Sequence, residues 1–194
     1  MGHGHKFDVK KLERLRDPER LSYLNPDTIW SVIAPESVET VVDLGVGIGF
    51  FAIPFSRKIP LGTIYGCDLS EDMVGNLELA IKAEDVSNIV PVKTEEVHVP
   101  LDDGIADLVF MVNLHHEFDH PVDSMAECRR LLRPGGRVAV IDWKPEETPS
   151  GPPLHVRVTP EQVMAQLTQA GFEAAQSHPV LAYHYIVTAA NPAA

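Results

Sequence analysis

"VVDLGVGIGFF", residues 41–51, decides the fold. A β-branched apolar run closes on Asp43. Glycines then stand at every second position, Gly45, Gly47 and Gly49, before the chain turns apolar again. Such a run reads as a buried strand, and the glycine stretch as its hand-over to a helix opening near Gly49. Glycine gives up side-chain packing in exchange for close backbone approach and access to positive φ. A bare turn needs one such residue; three in alternation behind an acid point to a ligand lying over the loop.

Outward from this stretch, strand and helix patterns alternate. Asn25 and Pro26 open a helix as N-cap and first helical residue. Upstream, Val9, Leu12 and Leu15 recur at helical spacing. "LGTIYGCDL" is a second strand, followed by a helix capped by Ser70 with Met73, Leu77, Ala80 and Ile81 inward. "IVPVK" and "ADLVFMV" are the third and fourth strands, the latter continuously hydrophobic after Asp107, as a central parallel strand should be. Val122, Met125, Cys128 and Leu132 line a helix that "RPGG" stops, and "RVAVIDW" is the fifth strand. The Pro-rich residues 145–153 read as a mobile loop. Thr159 and Gln162 form a capping-box pattern with Pro160 between them, and Gly171 ends that helix. "EAAQSHPV" and "YHYIVTAA" close the chain as an antiparallel pair, with Tyr183 and Tyr185 on one face. The whole is a doubly wound α/β sheet, mostly parallel, with helices on both faces.

Composition narrows the function. The 194 residues are 44% hydrophobic and 23% charged, enough for one domain with a substantial core. A net charge of −12, from 16 basic against 28 acidic residues, argues against a nucleic-acid partner. No apolar run reaches the roughly 18 residues that span a bilayer, and no signal peptide is visible, so no membrane role and a cytoplasmic address are expected. Cys67 and Cys128 each lie in an apolar periodic segment and read as buried free thiols.

Two ligands compete for the glycines. The dinucleotide fingerprint G-x-G-x-x-G is not met, because Phe50 stands where its third glycine would fall. Asp43 would be awkward beside a pyrophosphate and welcome beside a cationic amino-acid head group. Asp68 ends the second strand, where an acid takes ribose hydroxyls, and Ser70 already serves the helix cap.

With these residues the chain resembles the class I S-adenosylmethionine-dependent methyltransferases, whose first motif runs acid-x-G-x-G-x-G. "LLRPGGRVAVIDW" and "VTPEQVMAQLTQAGFE…YHYIVTA" look like that family's later elements. "HKFDVKKLERLRDPERLSYLNPDTI" is similar to the N-terminal arm of a branch of small bacterial and archaeal members. The resemblance implies one methyltransferase domain over 1–194, with a helical arm (1–38) and a Rossmann-like core (39–194). It implies seven strands in the order 3-2-1-4-5-7-6, the last antiparallel. S-adenosylmethionine is the implied cofactor and S-adenosylhomocysteine the product. Gly45, Gly47 and Gly49 would let the backbone approach the methionine end, and Asp43 would meet the amino group and sulfonium side. Asp68, with Leu69, would take the ribose. Glu95 and Glu96 fall on the adenine position, where an exposed acidic pair is the alternative. Asn113 is expected near the methionine moiety.

Methyl transfer from a sulfonium needs positioning and exclusion of water, and a base only where the nucleophile carries a proton. "MVNLHHEFDHP", past strand four, is the densest set of functional groups and looks like the family's N-x-x-H-E-F variant. There His116 or Glu117 would orient or deprotonate the acceptor; a hydrogen bond at the helix start is the alternative. Tyr23, with Arg20, lies in the arm that packs over the cofactor mouth, and filling core is the alternative for its ring. The histidine-rich stretch, with His3 and His5, matches no ligand spacing that specifies a geometry, so no metal is assigned. The arsenic branch of the family holds its substrate with several cysteines, and two buried ones argue against it here. The expectation is methyl transfer to an unidentified small molecule by a monomer or homodimer. Rivals are a non-catalytic S-adenosylmethionine-binding protein, an RNA or protein methyltransferase, and an NAD-dependent oxidoreductase.

Overall fold

The computed structural model describes residues 17–193; Val9, Leu12, Leu15, His3 and His5 lie outside them. Helix α1 (Arg20–Tyr23) leads into α2 (Pro26–Ile33), where the Asn25 side chain accepts from the Asp27 and Thr28 N–H groups, as the sequence predicts. β1 (Thr40–Leu44), α3 (Ala52–Ser56), β2 (Thr63–Asp68), α4 (Glu71–Ala83), β3 (Ile89–Lys93) and β4 (Ala106–Val112) follow. α5 (Pro121–Leu131), β5 (Leu132–Trp143), α6 (Pro160–Gln169), β6 (Glu173–His178) and β7 (His184–Ala190) complete the chain.

The strands form one sheet in the order β3-β2-β1-β4-β5-β7-β6, parallel but for β7, which runs antiparallel to β5 and β6. That is the expected order. β4 sits at the centre and alternates between two cores. Leu108 and Phe110 meet Ile29, Phe55 and Leu77 from α2, α3 and α4, whereas Val109 and Met111 meet Met125, Cys128, Val163 and Leu167 from α5 and α6. From Leu108 to Met111 the strand is buried on both faces and therefore has to be apolar at every position.

Asp107 anchors the start of this core. Its Oδ2 accepts from the Glu39 and Thr40 N–H groups at 2.7 and 2.8 Å, and Arg133 Nε lies 2.7 Å from Oδ1. Beside it, the backbone of Gly62 passes so close to the Glu39 carbonyl oxygen that a Cβ would collide with it. Backbone at this point cannot swing aside as a side chain would. Gly62→Ala is expected to lower unfolding free energy by about 1–3 kcal/mol, measured by urea titration. A change below about 0.5 kcal/mol, the usual range for an uneventful surface substitution, would contradict it.

Four local expectations change. The helix after the glycines begins at Ala52, not near Gly49, because Gly49 has φ +82° and cannot join a right-handed helix. Leu132 belongs to β5 rather than to the preceding helix, whose buried face is Met125, Cys128 and Leu131. Residues 145–153, expected to be mobile, fold around one side chain. The Arg157 guanidinium donates to the Lys144, Glu146, Ser150 and Pro152 carbonyls and lies over the Trp143 ring. Tyr183 and Tyr185 do not share a face: β7 starts at His184, so strand alternation does not reach Tyr183. Tyr183 packs on Tyr23, while Tyr185 enters the core on the α5–α6 side.

Candidate functional site

A cleft of about 1110 Å³ opens over the carboxyl ends of β1, β2 and β4, where strand order reverses. This is where open α/β sheets bind their ligands. Among the described residues its lining carries nine carboxylates, among them Asp43, Asp68, Glu95, Glu96 and Glu117, against one guanidinium, Arg20. Such a wall attracts a cation and repels phosphate.

The glycine loop is tied down by its own amides. The Gly45 and Val46 N–H groups both donate to the Cys67 carbonyl at 2.9 and 3.0 Å. Gly47 N–H donates to Asp68 Oδ2 at 3.0 Å, and Gly49 N–H to the Val46 carbonyl at 3.0 Å. These are the groups a dinucleotide site would turn toward pyrophosphate. Here they are spent. Gly45 and Gly47 line the cleft as expected, but Gly49 does not. A Cβ there would lie 2.8 Å from Leu77 Cδ1, so the third glycine serves turn geometry and packing on α4 rather than ligand approach.

Asp43 lies under the loop, 3% exposed. Burial pushes its carboxyl well above the usual carboxylate range, and the neighbouring Asp68 charge pushes it further. Asp68 holds two elements together: Oδ2 takes Gly47 N–H, and Oδ1 takes Ser70 N–H at 2.9 Å. Leu69 is exposed on the cleft wall, and so are Glu95 and Glu96 on the segment after β3. That segment is clamped to α5, a contact the sequence reading missed. Val99 N–H donates to Glu127 Oε1 at 2.8 Å, while Arg130 donates to the Val99 and Leu101 carbonyls. Burial raises the Glu127 carboxyl, but hydrogen bonds from Arg130 and Val99 more than reverse it, leaving the group below its ordinary value.

Asn113 follows β4 with φ +56°, its N–H donating to the Ile141 carbonyl. Its Oδ1 is buried at the cleft without a partner among the described residues. A buried acceptor in that state calls for a donor, and an ammonium group would supply one. Burial lowers the Arg20 pKa, against the pull of Tyr23 and Asp17, and its guanidinium lies 4.1 Å over the Phe50 ring.

Of the three residues expected to be catalytic, Glu117 lines the cleft, whereas His116 and Tyr23 do not. His116 turns its ring to the end of β5, where Nδ1 is 2.9 and 3.0 Å from the two Asp142 oxygens. Tyr23 packs instead in an aromatic cluster, stacked on His184 at 5.9 Å and tilted against Trp143 and Tyr183. Its ring fills core, the alternative weighed from the sequence. Among the described residues no group of three His, Cys, Asp or Glu is arranged to hold a metal. No helix among them is long and apolar enough to cross a membrane.

Comparison with known proteins agrees with this geometry. Residues 42–140 match the methyltransferase-domain family. A crystallised S-adenosylmethionine-dependent methyltransferase from Aquifex aeolicus is 32% identical with a TM-score of 0.88, over 95% of this chain and 99% of that one. An arsenite methyltransferase of Halobacterium salinarum is 30% identical over 155 residues, 73% of this chain and 39% of that protein. A ubiquinone/menaquinone biosynthesis C-methyltransferase of Cupriavidus pinatubonensis is 32% identical over 115 residues, 55% and 46% respectively. The chain thus spans less than half the length of either curated relative. It belongs to the methyltransferase-domain family.

Proposed function

From that membership, we propose that the cleft binds S-adenosylmethionine and that the chain transfers its methyl group to a small molecule, leaving S-adenosylhomocysteine. The observation that carries this reading is the buried Asp43 beneath a loop whose Gly45, Val46, Gly47 and Gly49 amides already have partners. It favours a cationic ligand over a pyrophosphate. When bound, S-adenosylmethionine supplies an electrophilic methyl on a sulfonium. Asp43 and Asn113 Oδ1 hold the amino group, and Arg20, the one guanidinium of the lining, takes the methionine carboxylate. Asp68 takes the ribose hydroxyls through the oxygen lone pairs left by Gly47 and Ser70. Leu69 packs along the ribose, and Glu95 and Glu96 meet the adenine amino group. Gly45 and Gly47 let the methionine end lie against the backbone. Glu117 faces the acceptor.

Residues 1–194 act as one domain, 1–38 serving as arm and 39–194 as core. Arsenite is opposed as acceptor because both cysteines of the chain are buried. Burial pushes the Cys128 thiol up to about 12 and raises Cys67 as well, so neither offers a thiolate. Two buried free thiols suit a reducing compartment, the cytoplasm. Calorimetric titration with S-adenosylmethionine, S-adenosylhomocysteine and NADH is expected to show micromolar binding of the first two alone, unchanged by chelator. Binding of NADH alone would overturn the cofactor, and loss of binding on chelation would reinstate a metal.

A further inference from the structure

We propose that Phe50 is a positioning residue for cofactor binding: its ring fixes the Arg20 guanidinium over the methionine end of the cleft, so that the glycine loop and the arm recognise the cofactor carboxylate together. This rests on the cofactor reading above and adds to it the residue that gives the cleft its specificity for the amino-acid end of the ligand.

Phe50 breaks the dinucleotide fingerprint, standing where its third glycine would fall. The structure gives that departure a use. Gly49, at φ +82°, closes the glycine turn, and α3 starts only at Ala52, so Phe50 and Phe51 lie between turn and helix. Phe51 is buried in the core with Phe55 and meets the Phe50 ring edge-on, 4.9 Å between centroids at 75°. Phe50 itself is partly exposed and lines the cleft. Braced by that edge contact, its ring offers a face, and the Arg20 guanidinium carbon lies 4.1 Å from the centroid. A cation within about 6 Å of an aromatic face is attracted by the ring's quadrupole, the more so where water is kept away. Arg20 is only 9% exposed.

The other half comes from the arm. Arg20 opens α1 and Tyr23 closes it, three residues apart and so on one side of the helix. Tyr23 stacks on His184 and tilts against Trp143 and Tyr183, while Leu24 is buried in the core and donates its N–H to the Arg20 carbonyl at 2.7 Å. The short helix is therefore anchored where β5 ends and β7 begins, without help from Phe50. That anchoring leaves the long Arg20 side chain to be placed. Among the described residues the lining carries nine carboxylates and this one guanidinium, so an unconstrained arginine would have many places to go. The ring settles which one it takes. Stacking uses a face of the guanidinium, whereas its N–H donors lie in the plane and point outward from its rim. A planar fork held in this way suits a carboxylate; lysine, a point charge with no plane, would not be held alike.

Affinities for S-adenosylhomocysteine and for its decarboxylated analogue, which keeps the ammonium and lacks only the carboxylate, test this by calorimetry. Phe50→Leu should bind S-adenosylhomocysteine about 5- to 30-fold more weakly, with the analogue held to within about 2-fold. Arg20→Gln should lose roughly 10- to 150-fold for S-adenosylhomocysteine and little for the analogue. Because the ring acts through the guanidinium, the double variant should be no worse than Arg20→Gln alone. Phe50→Tyr, which keeps the aromatic face, should restore the affinity that leucine loses. Equal losses for the two ligands in Phe50→Leu, no loss for either, or additive losses in the double variant would overturn the proposal. Phe50→Met fills the space without a ring and should repeat the leucine result. Failure of both variants to fold would assign the ring to the core and overturn the proposal too. If the unaltered protein binds neither ligand, the cofactor reading itself has failed and this proposal falls with it, a result distinct from any pattern among the variants.

Discussion

Asp68→Ala is expected to weaken S-adenosylhomocysteine binding by roughly 100- to 1000-fold, more than a lost ribose contact explains. A carboxylate hydrogen bond to a hydroxyl pair is worth about 1.5–3 kcal/mol, or roughly 10- to 150-fold. Asp68 does a second job, joining the Gly47 amide of the glycine loop to the Ser70 amide that opens α4. Removing it leaves two amides to find other partners and loosens the loop proposed to carry the methionine end. A double-mutant cycle separates the two effects. If Asp68 holds the ribose, a 2′-deoxy ligand should bind the unaltered protein less well but should lose little further affinity in the alanine variant. Equal losses in both proteins would assign Asp68 to the loop alone. Asp68→Asn should fall between, since an amide presents only one acceptor oxygen to two N–H donors.

What the sequence made legible follows from how each signal arises. The strand order came from the family resemblance, but the buried, central character of β4 was readable because "ADLVFMV" has no polar interruption after its first two residues, and only a strand covered on both faces tolerates that. Asn25, Ser70 and Thr159 announced their helices because a cap is a local hydrogen bond between residues a few positions apart. The limits fall where partners are distant in sequence. Arg157 gathering four carbonyls, and Arg130 clamping the segment after β3, leave no periodic trace. Gly49 was given a ligand-facing role because spacing cannot reveal that Leu77 occupies the space its Cβ would need. Asp142 is the instructive omission. "RVAVIDW" is an apolar strand closing on an acid, the same signal that singled out Asp43 in "VVDLG", and the same reasoning applies to both. The companion histidine was found, but sequence alone could not show that its ring turns away from the cleft toward that acid.

Asp43→Asn is expected to divide stability from function. Below the unfolded carboxyl's value of 3.8, both states carry the proton and Asp43 has no charge to bury. As pH rises past it, the unfolded chain releases a proton that the folded chain retains, because burial and Asp68 hold the folded carboxyl higher. Stability therefore falls with rising pH until the folded group also ionises, by about 1.4 kcal/mol for each pH unit separating the two values. Asparagine has no charge to bury. The ligand-free variant should melt above the unaltered protein at pH 7, with the gap closing toward pH 4. Cofactor binding should behave in the opposite way. The ammonium and sulfonium of S-adenosylmethionine favour the ionised carboxyl, so binding should release protons and tighten as pH rises through the Asp43 titration. Calorimetry in buffers of different ionisation enthalpy measures that release directly. In Asp43→Asn the release should vanish and affinity should drop roughly 10- to 100-fold, more for S-adenosylmethionine than for S-adenosylhomocysteine, which lacks the sulfonium charge. Equal losses for the two ligands would place Asp43 at the amino group only. A variant that melts lower than the unaltered apoprotein at pH 7 would mean that the carboxylate stabilises the loop, and the cost assigned to its burial would be wrong.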